Sequence, residues 1–268
     1  MGVIKKENVQ MMQPDTAASQ SKYCPVCGKK LETVEFDLLG KHFEIPKQCE
    51  CEKMKRQEEE RLAQYWEKRQ KLERTFSISQ LGPRFKECTF ANWSPAAGSE
   101  KAYELCKAYV EGFKDNKGDG VLIYGPPGNG KSHLAAAVVN ELIDSGYTCI
   151  FQNVPALLSR IRKTFDGGQE TEAAIYNALK ECDLLVLDDI GSQMWSEWRE
   201  EVLYMVINDR YYWKRPIIAT SNLAPDALAK NIGKRTMDRL LEMCVIVEDK
   251  AASYRERIAF ERLKALRG

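Results

Sequence analysis

The stretch Val121-Leu122-Ile123-Tyr124-Gly125-Pro126-Pro127-Gly128-Asn129-Gly130-Lys131-Ser132-His133 decides the fold. Its first four residues form an apolar run short enough to be a buried parallel strand. The run opens into a loop of the form G-x-x-x-x-G-K-S, and a helical pattern follows from Ser132 to Ile143. Strand, glycine loop and helix in that order are the context a phosphate-binding loop requires. The glycines of Gly125-Pro126-Pro127-Gly128-Asn129-Gly130 let successive N–H groups turn toward one phosphate. The helix N-terminus adds positive potential at the same point. Lys131 can then reach the β- and γ-phosphates of a nucleoside triphosphate, and Ser132 can ligate Mg²⁺. His133 completes the start of the helix beside them.

Two further strands carry the rest of a nucleotide site. Asp183-Leu184-Leu185-Val186-Leu187-Asp188-Asp189 is an apolar strand ending in acids, the Walker B form. Asp188 at its C-terminal end is placed where ligands bind in open α/β sheets, and it would hold Mg²⁺ through water. Asp189 would orient or deprotonate the attacking water. Pro216-Ile217-Ile218-Ala219-Thr220 runs into Ser221-Asn222, and Asn222 is the candidate for reaching between the γ-phosphate and the acids. Lys234, Arg235, Arg239, Arg255 and Arg257 are five cations able to stabilise phosphoryl transfer, and spacing alone does not choose among them.

Around these motifs the pattern alternates. Strands are expected at 121–124, 147–152, 183–188, 216–220 and 244–248. Helices are expected at 99–113, 131–144, 155–164, 171–180, 196–212, 225–230 and 234–242. The fold class is α/β, a parallel sheet with right-handed crossovers and helices on both faces. The ATPase-type domain is expected over 81–268. Ahead of it come a polar stretch at 1–20, expected to be mobile, a cysteine-bearing module at 21–52 and a charged helix or linker at 53–80. Leu62, Tyr65, Trp66, Leu72 and Phe76 give that linker a near-helical apolar spacing.

The chain has 268 residues, 44% of them hydrophobic, which suffices for one full core and a small appendage. A net charge of +1 means that any nucleic-acid contact must use local patches. No run is long enough to span a bilayer, and Met1–Lys6 lacks the apolar core of a signal peptide, so a cytoplasmic, membrane-free protein is expected. Nine cysteines, an odd number, argue for a reducing compartment rather than a disulfide framework.

Four of the cysteines are clustered. Cys24-Pro25-Val26-Cys27 and Cys49-Glu50-Cys51 are two pairs separated by 21 residues. Four thiolates so paired can complete a tetrahedral Zn²⁺ site. His42 lies between the pairs as a substitute ligand. A segment this short could hardly fold without the metal.

These motifs together resemble the AAA+ ATPases, and more closely the DnaC/DnaI-type replicative helicase loaders. The resemblance covers about residues 84–258. It is carried also by Arg84-Phe85-Lys86-Glu87-Cys88-Thr89-Phe90-Ala91-Asn92-Trp93, by Lys131–Ala137, by Gly233-Lys234-Arg235-Thr236-Met237-Asp238-Arg239-Leu240 and by Ser253-Tyr254-Arg255. It implies ATP as the nucleotide, Arg239 as an arginine finger acting on a neighbouring subunit, and Arg255 as a sensor within the same chain. Asp189 stands where many members carry Glu, and the shorter side chain implies slower hydrolysis. Only 20 residues follow the last expected strand, too few for the usual helical lid. Ser196 and Trp198, with Trp195 beside them, and Phe165 in a second segment fall where the family contacts single-stranded DNA. The implied partners are a ring-shaped replicative helicase of DnaB type, bound through the N-terminal region, single-stranded DNA, and other copies of this chain. An IstB-type transposition helper shares nearly the whole domain, so that alternative stays open. A metabolic kinase is disfavoured by the Asp188-Asp189 pair, Asn222 and the arginine-rich end.

Overall fold

The computed structural model describes residues 22–75, 83–93, 96–165, 170–193 and 196–267. The stretch 1–20, Phe76 and Trp195 fall outside these described residues. By its internal contacts the chain divides into two compact units, Met1–Ala63 and Gln64–Gly268.

In the first unit a loop carrying Cys24 and Cys27 leads into an antiparallel hairpin, β1 (Thr33–Leu38) and β2 (Lys41–Pro46). The hairpin turns on Leu39 and Gly40, both at positive φ (51° and 74°). Helix α1 (Glu50–Thr75) follows and runs across the boundary between the units. It starts three residues before the expected linker, so Cys51 lies in its first turn.

The second unit begins within α1. Leu72 joins the core rather than lying exposed, while Leu62 and Trp66 stay exposed. The unit continues with α2 (Pro83–Lys86), α3 (Glu100–Gly112), β3 (Gly120–Tyr124), α4 (Lys131–Asp144), β4 (Cys149–Asn153), α5 (Val154–Thr164), α6 (Glu172–Glu181) and β5 (Leu184–Asp188). Then come α7 (Glu197–Tyr212), β6 (Ile217–Ser221), α8 (Pro225–Ile232), α9 (Lys234–Met243), β7 (Cys244–Glu248) and α10 (Tyr254–Arg267). All five expected strands form, within two residues at each end.

The five strands make one parallel sheet in the order β4-β5-β6-β3-β7. Alternate side chains divide between two layers. Leu122, Leu185, Leu187, Ile217 and Ala219 pack with α5 to α9 on one face. Val121, Ile123, Leu184, Val186 and Ile218 pack with α3 and α4 on the other. Both faces are covered, which explains why these strands are continuously apolar rather than alternating. The run Ala135-Ala136-Ala137 is fully buried and lets α4 lie close against the sheet. Crossovers return every strand in the same direction, so the ends of β3, β5, β6 and β7 open on one edge.

Candidate nucleotide site and cysteine centre

The expected nucleotide residues converge at that edge. Pro127 to His133, Asp188, Asp189, Asn222 and Arg255 line one cleft of about 560 Å³, together with Trp93, Thr220 and Arg257. That volume is in the range that holds a nucleotide-sized ligand.

The loop has the conformation its glycines allow. Gly130, at φ 102°, precedes α4 as its N-cap and offers no side chain to the first-turn N–H groups. Those donors and the helix dipole therefore face the cleft and suit an anion. Gly125 presses against the Asp249 backbone carbonyl, where a Cβ would overlap the oxygen. Lys131 is buried, and its Nζ donates to the carbonyls of Gly125 and Pro126 (2.9 and 2.8 Å) and to Asn129 Oδ1 (2.9 Å). Burial lowers its ammonium pKa, while the carboxylates of Asp249, Asp189 and Asp188 oppose that shift. Gly125 and Pro126 thus meet the lysine from behind, whereas Pro127 onward faces the cleft. His133 Nε2 donates to Thr89 O at 3.1 Å, and its ring meets Trp93 edge-on at 5.2 Å.

The acids are held by β6. Thr220 Oγ1 donates to Asp188 Oδ1 at 2.7 Å and accepts from the Asp189 N–H at 2.9 Å. Asp189 sits in the left-handed region at φ 60°, which aspartate tolerates better than most residues. Its Oδ1 accepts from Asn222 Nδ2 at 2.8 Å. The arrangement can hold a hydrated cation at Asp188 and place a base beside it at Asp189.

Two supports of this site, Thr220 and Asp249, and one role of the loop residue Asn129 were not expected from the sequence. Asn129, expected in the loop, has a role beyond it: Nδ2 donates to Asp249 O at 2.7 Å while Oδ1 accepts from Lys131. Asp249 is fully buried, with its carboxyl pKa raised by burial. The Tyr254 N–H donates to Gly128 O at 2.8 Å, so the segment before Arg255 is tied to the phosphate loop at two points. A polar residue near the C-terminal end of an apolar strand was the available signal for Thr220. Nothing in the sequence marks the Asn129–Asp249 link, which joins residues 120 positions apart.

Arg239 is outside the lining of the cleft. Its guanidinium donates to Asn208 Oδ1 (2.7 Å), Arg235 O (2.9 Å) and Tyr204 OH (3.0 Å), and lies over the Tyr204 and Tyr211 rings. Ser196 caps α7, its Oγ accepting from the Arg199 N–H at 3.4 Å. Trp198 is half-buried against the core and meets the exposed Phe165 ring at a centroid distance of 6.4 Å.

In the first unit, Cys24, Cys27, Cys49 and Cys51 converge, with all four Sγ atoms within 4.8 Å of one another. The Cys24–Cys51, Cys49–Cys51 and Cys27–Cys49 separations are 3.4, 3.3 and 3.7 Å. The Cys27 backbone N–H, followed by that of Val26, lowers the Cys24 thiol pKa to about 7. The neighbouring Cys49 and Cys27 thiols push the Cys51 thiol the other way, up, so the crowded sulfurs titrate as one group. Four soft donors at this spacing fit one tetrahedral Zn²⁺. His42 is not part of the group. Its Nδ1 is 2.9 Å from Asp37 Oδ1, because the hairpin register places those residues opposite each other. The four cysteines complete the donor set without a substitute.

Among the described residues no helix is long and apolar enough to cross a membrane. The family of IstB-like ATP binding proteins matches residues 59–262. The replicative helicase loader DnaC of Escherichia coli (strain K12) is 33% identical over 171 residues, covering 63% of this chain and 69% of that protein. DnaC of Buchnera aphidicola subsp. Baizongia pistaciae is 32% identical over 175 residues, covering 65% and 71%. Among solved structures, the DnaC helicase loader shares the fold, with a TM-score of 0.59 at 24% identity over 63% of this chain and all of that one. The replication initiator DnaA bound to AMPPCP and single-stranded DNA follows at 0.57 and 26% identity, over 70% of this chain and 56% of that one. The chain belongs to the IstB-like, DnaC-related family of AAA+ ATP-binding proteins.

Proposed function

We propose that this chain is an ATP-dependent loader that places a ring-shaped replicative helicase of DnaB type on single-stranded DNA. The observation that carries the reading is the convergence of Lys131, Asp188, Asp189, Asn222 and Arg255 on one cleft, in a chain related to DnaC loaders. Lys131 and the loop N–H groups hold the β- and γ-phosphates. Ser132 and Asp188 hold Mg²⁺, which supplies charge neutralisation at the transferring phosphoryl group. Asp189, aimed by Asn222, accepts a proton from the attacking water. Arg239 serves the cleft of a neighbouring copy, and Arg255 reads the nucleotide in its own.

The segment tied to the loop through Asn129 and Gly128 carries Arg255, so occupancy of the phosphate site is felt beyond the cleft. Hydrolysis then acts as a switch that releases the loader. The zinc module over 21–52 and the helix after it bind the helicase, and residues 81–268 form the ATPase domain. Trp198, with Phe165 beside it and Ser196 at the cap, offers a stacking surface to single-stranded DNA. One neighbouring fold, DnaA, has been solved with such a strand bound.

The IstB-like description of the matched family favours a second reading, a helper ATPase for a transposase. Affinity capture from the source organism separates the two. A ring helicase co-purifying with the chain supports the loader, and a transposase in its place overturns it.

A further inference from the structure

We propose a second binding surface for single-stranded nucleic acid, at the turn Tyr212-Trp213-Lys214-Arg215, on the sheet edge opposite the nucleotide cleft. This turn ends α7 and leads into the start of β6, whereas the cleft lies at the strand ends. Tyr212 and Trp213 are 72% and 55% exposed, large apolar areas for rings that have a core at hand. They meet edge to face at a centroid distance of 5.3 Å. Lys180 Nζ lies 4.9 Å from the Trp213 centroid. Lys214 is exposed, Arg215 is half-exposed, and Lys117 is exposed on a neighbouring loop whose Gly118 packs against the Lys214 backbone.

The platform is rigid. Arg210 is fully buried and its guanidinium donates to the carbonyls of Leu179, Cys182, Asp183 and Pro216, gathering the end of α6 and the starts of β5 and β6 beneath the turn. The Arg215 N–H donates to Arg210 O at 2.8 Å and the Lys214 N–H to Tyr211 O at 3.1 Å, with Lys214 at φ 50°, the left-handed turn that commonly closes a helix.

The chemistry selects the ligand. Lys117, Lys180 and Lys214 around two exposed rings, with Arg215 shared with Asp183, complement a polyanion that also offers flat π-faces, in a chain of net charge only +1. Duplex DNA keeps its base faces stacked away, so the fit is to a single strand. Of the acids near the turn, Glu181 is held by Lys71 at 2.8 Å, Asp183 is held by Lys68 and also faces Arg215 at 3.9 Å, and Asp119 is exposed beside Lys117. The surface shares its ligand class with the Trp198 segment proposed above but none of its residues, and it does not require that contact.

The test is binding of a fluorescein-labelled oligo-dT to the full chain, with ultraviolet crosslinking to map the contact. Tyr212→Ala and Trp213→Ala together are expected to weaken binding about tenfold or more. Lys214→Glu alone should weaken it and flatten the salt dependence. ATP binding in each variant reports an intact fold. Crosslinks in the peptide holding Tyr212 and Trp213 are expected. Three results would overturn the surface: unchanged affinity in both variants, crosslinks confined to 196–198, or a poly-glutamate peptide competing as well as the oligonucleotide. Loss of affinity in Trp198→Ala but not in the turn variants would leave the loader reading standing and remove this surface. The reverse pattern would keep this surface and remove the Trp198 contact.

Discussion

Asn222 Nδ2 donates to Asp189 Oδ1 at 2.8 Å, joining the end of β6 to the acid that follows β5. The bond aims one carboxylate oxygen while Thr220 fixes the backbone of the same residue. A base must be within hydrogen-bond reach of its water and must be oriented. Asp189→Asn is therefore expected to lower ATP turnover by about 10²-fold or more with nucleotide binding retained. Asn222→Ala should lower it less, since it removes the aim and leaves the base. Equal turnover in wild type and Asp189→Asn would remove Asp189 from the mechanism.

The cysteine centre should carry one zinc per chain. Metal analysis of the reduced protein is expected to give one equivalent, and Cys27→Ser should lose most of it. Zinc far below one equivalent in wild type, with no further loss in the variant, would contradict the four-thiolate site.

Asp183 gives a pH prediction. Burial by itself would raise its carboxyl pKa, but the Lys68 ammonium and the Thr148 donors outweigh burial and hold it below its ordinary 3.8. A depressed folded pKa contributes stability above the unfolded value and loses it as pH falls through the folded one. Asp183→Asn is expected to cost ~1–3 kcal/mol at pH 7. The gap from wild type should narrow as the pH drops below that ordinary value. A gap that stays constant from pH 7 to pH 3 in thermal unfolding would show that the carboxylate's charge is not what matters.

Arg239 is packed on α7, outside the lining of its own cleft. If it serves a neighbour, Arg239→Ala should bind ATP normally and turn it over on the order of 10³-fold more slowly. Mixing it with Lys131→Ala should restore part of the activity. Lys131→Ala subunits keep a working arginine, and Arg239→Ala subunits keep a working phosphate loop. No recovery from a mixture shown to assemble would place the arginine's role within its own chain.

Much of this was legible in the sequence because buried parallel strands are unbroken apolar runs and the chemistry sits at their ends. Asp188 and Asn222 stand at the ends of such runs, and Lys131 follows one across the glycine loop. The boundaries moved for local reasons. The strand expected from 147 begins at Cys149 because Tyr147 N–H bonds back to Leu142 O at 2.9 Å and closes the end of α4. The hairpin at 33–46 went unread because its turn is Leu39-Gly40, where Asn-Gly is the usual signal for two residues at positive φ. Helix α10 was legible and overlooked: Ser253 Oγ accepts from the Glu256 N–H at 3.3 Å, and Ser-x-x-Glu is a capping pattern. Asp249 could not be read, since its role comes from a loop distant in sequence.

The most direct test of the account is helicase loading on closed circular single-stranded DNA, which has no end to thread through a ring. The host's replicative helicase, this chain, the DNA and Mg²⁺-ATP are combined, and DNA-bound helicase is measured after separation by size. Wild type is expected to leave helicase on the circles, and Lys131→Ala is expected to leave it free. Loading by Lys131→Ala equal to that by wild type, or no loading by wild type although it binds the helicase, would contradict the claim that this chain is an ATP-switched loader.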